Sequence, residues 1–147
     1  MKRRLYESGT GSCVWRWSDV VLDGVLYLRR LHLVKVQLGR FGFAVMLHWI
    51  LRPDPQPDLH DHPVSFASVI LRGAYLEHRW GPHHYREKRC YAPGDINWMR
   101  ATDCHRILDV LPRTMTLVFA GPKTREWGFH TASGWVDWRT YSAPRRS

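Results

Sequence analysis

Two histidines separated by one residue, His60 and His62, are the clearest candidates for chemistry in this 147-residue chain. Side chains alternate between the two faces of a strand, so both imidazoles would point to the same side and could bind one metal ion. Surface pairs of this kind also occur without a metal. The pair therefore predicts a metal site only if a third ligand comes from elsewhere in the chain.

The segments around this pair are short apolar stretches separated by glycine and proline. Such spacing is typical of an all-β sandwich or barrel. The first stretch is also long enough to form a helix. The stretches are Val20 to Val36, Phe41 to Leu51, Ser65 to Leu71, Ala74 to Trp80, Asp95 to Met99, His105 to Leu111 and Met115 to Ala120.

The histidine pair and the glycine that follows it are spaced as in the first motif of the cupin superfamily, Gly-x5-His-x-His-x3-Glu-x6-Gly. Gly73 stands on the closing glycine, whereas Phe66 replaces the glutamate and Asp54 replaces the opening glycine. The first motif is therefore matched at its histidines and at its closing glycine.

The second cupin motif, Gly-x5-Pro-x-Gly-x2-His-x3-Asn, is matched by Gly94 and His105 at the required separation. Its remaining positions hold Arg100, Thr102 and Asp109. The chain thus resembles a cupin over roughly residues 41–120, and several short segments resemble a small group of bacterial and phage cupin-like proteins. These segments are His60-Asp61-His62-Pro63, Gly121-Pro122-Lys123 with Arg125-Glu126-Trp127-Gly128-Phe129, and Gly134-Trp135-Val136-Asp137-Trp138.

The resemblance implies a fold and a division of the chain. The fold class is all-β, a single double-stranded β-helix or jelly-roll-like cupin barrel with an N-terminal extension. Residues 1–40 would form the extension that packs on the barrel, residues 41–141 the barrel itself, and residues 142–147 a basic tail.

The resemblance also implies that His60, His62 and His105 hold one divalent metal ion. Fe(II) is favoured, and three imidazoles also suit Zn, Mn, Ni or Cu. Phe66 cannot ligate and is expected to face the barrel interior, so the metal either keeps three protein ligands or takes a carboxylate from Glu77. Glu77 could instead pair with a neighbouring arginine.

Four further residues are expected to line a substrate pocket. Each has an ordinary alternative, because an isolated histidine in an apolar strand or an aromatic side chain is often part of the core. Cys104 and Asp61 should point away from the metal, and Asp61 could orient a neighbouring imidazole. The four pocket residues are His48, Tyr75, Arg79 and Trp98.

Composition excludes several classes of protein. The apolar fraction of 44% suits a packed core, and no run approaches the roughly 18 apolar residues of a membrane helix. The net charge of +9 comes from dispersed basic residues, so we expect no nucleic-acid partner. The three cysteines show no zinc-knuckle spacing, and we interpret them as reduced thiols in a cytoplasmic protein.

The predicted function is that of a metal-dependent oxygenase or dioxygenase acting on a small, anionic molecule. The alternative is a non-catalytic cupin that binds a small molecule and holds a structural metal, and an interaction module of a phage or mobile element is a third hypothesis. A homodimer could form through strands added at the barrel edge, for instance by Tyr27 to Val36.

Overall fold

A computed structural model describes residues 15–22, 24–80 and 86–141. Within these residues the chain forms twelve β-strands. They are β1 (Arg16–Leu22), β2 (Val25–Leu38), β3 (Phe41–Ile50), β4 (Leu59–His60), β5 (Phe66–Arg72), β6 (Tyr75–Trp80), β7 (Arg86–Tyr91), β8 (Ile96–Met99), β9 (His105–Val110), β10 (Thr114–Ala120), β11 (Gly128–Thr131) and β12 (Gly134–Asp137).

The strands form two six-stranded antiparallel sheets. The first sheet has the order β1-β2-β3-β10-β5-β8, and the second has the order β12-β11-β4-β9-β6-β7. The predicted all-β jelly-roll architecture is confirmed. No helix among the described residues is long and apolar enough to cross a membrane.

The stretch from Val20 to Val36 is a β-hairpin in the structure, and the alternative of a helix was wrong. Gly24 has a φ of 77° and turns the chain between β1 and β2. These two strands lie at one edge of the first sheet. The division of the chain at residues 40 and 141 stays a prediction, because residues 1–14 and 142–147 lie outside the described part.

The core between the sheets is divided into two apolar clusters. The first joins buried residues of both sheets, with Ile50 and Ile70 on one side and Tyr75 and Ile107 on the other. The second contains Met46, Val118 and their neighbours, with Phe66 packed against it. Buried polar side chains, among them those of His105 and Thr116, lie between these two clusters.

The outer face of the first sheet is unusually apolar for a solvent-facing surface. Its strands carry large exposed side chains at alternate positions. The predicted homodimer stays a prediction. The exposed side chains of this face include Phe43, Leu71, Ile96, Trp98 and Phe119.

The tight turn before β6 depends on Gly73, the residue that matched the closing glycine of the first motif. Its φ is 73°, and a Cβ atom built there would lie 2.6 Å from the Cα atom of Thr114. The Thr114 hydroxyl accepts a hydrogen bond from the Ala74 amide and donates to the Leu111 carbonyl, so it cannot move away freely. Gly73 therefore fixes how β6 leaves the turn.

We expect Gly73→Ala to lower the free energy of unfolding by about 2 kcal/mol more than Gly24→Ala does. Both glycines have nearly the same positive φ, but a Cβ atom at Gly24 meets nothing within 4 Å. The difference between the two variants in urea unfolding isolates the overlap with Thr114. Equal destabilisation of the two would contradict this role of Gly73.

Candidate metal centre

Three histidines converge between the sheets, as the sequence predicted. His60 ends β4, His105 begins β9, and the two are paired across these strands. The ring centroids are 5.1 Å apart for His60 and His62, 4.8 Å for His60 and His105, and 4.9 Å for His62 and His105. One ring nitrogen from each lies within 4.8 Å of the other two.

Each imidazole of this triad is held by a different neighbour. The Nδ1 atom of His105 is 2.7 Å from the Oε2 atom of Glu77, and the Nδ1 atom of His60 is 3.9 Å from the Oδ2 atom of Asp54. The ring of His62 packs edge-on against Phe66 at 4.9 Å between centroids.

The ring nitrogens of the triad have properties that fit metal ligands. The Nε2 atom of His62 is buried and has no hydrogen-bond partner among the described residues. A buried nitrogen without a partner is costly, and a metal ion would use its lone pair. Burial lowers the pKa of His60 to about 4 and lowers the pKa of His62 well below its usual value, so both rings are neutral at pH 7 and able to ligate.

Glu77 lies behind His105 in the structure and is not one of the converging ligand atoms, which differs from the predicted fourth ligand. It is fully buried, and its Oε2 atom also accepts a hydrogen bond of 3.1 Å from Asn97. A carboxylate on Nδ1 fixes the tautomer of His105 and turns Nε2 towards the metal position. Glu77 therefore acts through His105.

Phe66 contacts His62 and the second apolar cluster, so it faces the interior as expected. This position would hold the glutamate of the first cupin motif. An apolar ring here shields one side of the triad from water and offers no ligand atom. On β6, the carboxylate of Glu77 contacts one member of the triad, His105.

Two of the predicted pocket residues form structural contacts. Tyr75 is in the first apolar cluster, and its hydroxyl accepts a hydrogen bond of 2.9 Å from Asn97. Arg79 donates to the side chain of Asn97 at 3.2 Å and forms an ion pair of 2.7 Å with Asp103. Both residues therefore hold β6 against β8, and their contact with a substrate stays a prediction.

The prediction that Trp98 lines an interior pocket was wrong, and the neighbouring residue Asn97 faces the interior instead. Trp98 is 58% exposed on the outer face of the first sheet, whereas Asn97 is 1% exposed. Because β8 has only four residues, the alternation of its side chains could not be read from sequence. Asn97 is the inward residue, and it joins Tyr75, Glu77 and Arg79 by hydrogen bonds.

His48 lies inside the barrel on β3, between the buried residues Met46 and Ile50. Its Nε2 atom is buried and has no hydrogen-bond partner among the described residues. Burial and the charge of Arg30 lower the pKa of His48 well below its usual value. His48 thus faces the interior, and its role towards a substrate stays a prediction.

Sequence reasoning missed a second carboxylate at the triad, Asp54. Its Oδ2 atom accepts a hydrogen bond of 2.6 Å from the Ile107 amide, and its own amide donates to the Ile107 carbonyl at 2.9 Å. Asp54 is thereby fixed to β9 beside His60. The sequence did contain a signal for Asp54, because it stands where the first cupin motif has its opening glycine.

A second group of possible ligands, formed by Asp61, Cys104 and His130, fits a metal less well. The buried carboxylate of Asp61 already accepts hydrogen bonds from His130, the Arg125 guanidinium at 2.8 Å, the Gly128 amide and the Trp135 indole. Burial raises the pKa of the Cys104 thiol to about 12, which keeps it protonated. Neither Asp61 nor Cys104 is among the converging ligand atoms of the triad.

Comparison with solved structures supports the fold. Fe(II)-HppE with the alternative substrate (S)-1-HPP has a TM-score of 0.51 and 14% identity, over 73% of this chain and 55% of that chain. KdgF from Halomonas sp. has a TM-score of 0.52 and 18% identity, over 74% of this chain and 89% of that chain. A tryptophan-to-tyrosine variant of oxalate decarboxylase from Bacillus subtilis has a TM-score of 0.51 and 10% identity, over 82% of this chain and 31% of that chain.

These similar structures are cupin-fold proteins, which confirms the cupin fold of this chain. The chain spans about half the length of HppE and about a third of oxalate decarboxylase. No protein-family model matches the chain, and no curated protein gives a significant sequence match. At these identities the likeness extends to the fold alone.

We expect Glu77→Gln to weaken metal retention by roughly tenfold or more, because the amide keeps the shape of the side chain but removes the charge behind His105. The measurement is a chelator competition with the metal-loaded protein. Glu87→Gln on the adjacent strand β7 is the matched control and should retain wild-type affinity. Equal affinity in both variants would contradict the role of Glu77.

The metal-free protein should lose stability as the pH falls below 6.5, the usual pKa of histidine, partly because His48 stays neutral when folded. The folded pKa is lowered, so the unfolded chain binds the extra proton, and each such group costs up to about 1.4 kcal/mol per pH unit. His48→Gln should reduce the pH dependence by that amount in urea unfolding between about pH 6.5 and about pH 5. The difference in free energy of unfolding between the variant and the wild type in mildly alkaline buffer measures the effect of the substitution apart from protonation. If the free energy of unfolding of the variant depends on pH as steeply as that of the wild type, the neutral state of His48 is contradicted.

Proposed function

We propose that His60, His62 and His105 hold one divalent metal ion and that the protein is a metal-dependent oxygenase acting on a small anionic molecule. The observation that carries the proposal is the convergence of three imidazoles around a buried Nε2 atom that has no partner among the described residues. Without a ligand, the buried Nε2 atom of His62 would remain unsatisfied. A bound cation resolves this cost.

The surroundings of the triad favour an open site. Phe66 stands beside His62 without a ligand atom, and Glu77 is engaged with His105. Three protein ligands leave coordination positions for small molecules, as at other open metal sites. A metal bound in this way would act as a Lewis acid or a redox centre.

The charge of a divalent ion would be balanced through the histidines. Glu77 supports His105, and Asp54 lies beside His60, so two buried carboxylates stand behind two of the three ligands. Carboxylates at this distance raise the basicity of an imidazole and attract the cation without occupying its coordination sphere. The position that faces the barrel interior is left for a substrate.

Iron is the first metal to test. The similar structure of HppE contains Fe(II), and a three-imidazole site with open positions suits ferrous iron as well as Zn, Mn, Ni or Cu. The excess of basic residues in the chain, with a net charge of +9, supports an anionic substrate through its overall field.

Protein purified without a chelating tag should contain close to one divalent metal ion per chain by elemental analysis. His62→Ala removes one ligand and should abolish this metal content. His130→Ala, which alters the second group, should retain it. Metal lost in the His130 variant and kept in the His62 variant would place the ion at Asp61 and Cys104 and overturn the proposal.

Nitric oxide binding and oxygen uptake can distinguish an oxygenase from a non-catalytic cupin with a structural metal. The Fe(II)-loaded protein should give a high-spin iron–nitrosyl signal by electron paramagnetic resonance, because an open position accepts the probe. Oxygen uptake with a panel of small carboxylates and thiol acids then identifies turnover. A protein that gives no such signal and consumes no oxygen would be a non-catalytic binding cupin with a structural metal.

A further inference from the structure

A row of three polar side chains lies on the inner wall of the first sheet. Arg30 on β2 is paired with His48 on β3, and His48 is paired with Thr116 on β10. Paired residues on neighbouring strands point to the same face of a sheet. Since Thr116 is 1% exposed and His48 lies between two core residues, this face is the interior.

This polar row, formed by Arg30, His48 and Thr116, separates the two apolar clusters. Ile50, two residues after His48, belongs to the first cluster. Met46, two residues before His48, belongs to the second cluster. The polar row is therefore a break in an otherwise apolar wall.

The histidine triad separates the same two clusters on the opposite side. Ile107 follows His105 on the same face of β9 and is in the first cluster. Phe66 contacts His62 and packs on the second cluster. The polar row and the triad consequently face each other across the interior, between the same two layers of apolar side chains.

The polar row has unused hydrogen-bonding capacity. The Oγ1 atom of Thr116 and the Nε2 atom of His48 are buried and have no partner among the described residues. A buried polar group left without a partner is destabilising. A bound ligand with oxygen acceptors would take a hydrogen bond from each.

Arg30 supplies the charge of the row. It is paired with His48 on the neighbouring strand, so its side chain lies on the same inner face as those of His48 and Thr116. The two buried carboxylates nearest the triad, Asp54 and Glu77, already contact their own histidines. An arginine beside a histidine and a threonine with unused hydrogen-bonding atoms is a combination that suits an oxyanion.

We propose that Arg30, His48 and Thr116 bind the anionic end of a small bifunctional molecule whose other end reaches the three-histidine site. The ligand class is a short organic acid with a carboxylate, sulfonate or similar oxyanion group. The arginine fork binds two oxygens of such a group, and the histidine and threonine add single hydrogen bonds. The binding of the second end of the ligand rests on the proposed function of the three histidines as a metal site.

The test uses the Co(II)-loaded full chain and two thiols that differ at their far end, 2-mercaptoethanesulfonate and 2-mercaptoethanol. The sulfur-to-cobalt charge-transfer absorption reports binding at the metal. We expect the wild-type protein to bind the sulfonate at least about tenfold more tightly than the neutral thiol. Arg30→Met should abolish this preference without changing cobalt content or the affinity for 2-mercaptoethanol.

Arg29→Met is the matched control. Arg29 is the neighbouring residue on β2, points to the outer face and forms an ion pair with Asp19. It should keep the full preference for the sulfonate. Thr116→Val preserves the volume of a buried side chain while removing the hydroxyl, so it gives a second, fold-safe variant that should weaken sulfonate binding several-fold.

A second measurement separates the subsite from the metal site. In the metal-free protein, sulfate at constant ionic strength should raise the Tm of the wild type and of Arg29→Met, but not of Arg30→Met. If cobalt does not bind through the triad while this sulfate effect is seen, the proposed metal function fails and the anion subsite stands. Equal preference for the sulfonate in Arg30→Met and Arg29→Met, or an equal effect of sulfate on both, would overturn the subsite.

Discussion

The hydrogen bond of 2.7 Å between His105 and Glu77 connects the candidate metal centre to the frame of the barrel. Glu77 is fully buried on the second sheet, and it accepts from Asn97 on the first sheet. A buried carboxylate must be compensated by such partners, because an unpaired charge in the interior is costly. Both of these partners contact Oε2, whereas Oε1 is buried and has no hydrogen-bond partner among the described residues. Glu77 thus connects His105 on the second sheet to Asn97 on the first.

The rest of the interior consists of apolar clusters with a layer of polar side chains between them. The first apolar cluster joins the two sheets, and the second covers the inner face of the first sheet. The layer between the clusters contains the triad on one wall and Arg30, His48 and Thr116 on the other. Such a layer reduces hydrophobic burial, so it lowers stability unless its polar groups find partners. A metal and an anion would provide them, which is why function is assigned to this layer.

The sequence was sufficient for the strands and for the three histidines, because both depend on short-range periodicity and on two motifs with fixed spacing. It placed His48 and Phe66 inside the barrel for the same reason. It failed for Trp98 because a strand of four residues gives no clear alternation, and for Glu77 because its contact with His105 depends on pairing between β6 and β9. The positions of Arg30 and Thr116 beside His48 were not predicted, because they depend on pairing between strands that are distant in the sequence. Asp54 replaces a motif glycine, but its hydrogen bond to the Ile107 amide likewise depends on a distant strand.

The most direct measurement of the central claim is X-ray absorption spectroscopy of the Zn(II)-loaded protein. The account predicts a first shell of nitrogen and oxygen at about 2.0 to 2.1 Å, with outer-shell scattering from three imidazoles and no sulfur. A sulfur scatterer at about 2.3 Å would show that the ion binds Cys104, and fewer than three imidazoles would show that His60, His62 and His105 do not act together. Either result would contradict the assignment of the metal centre.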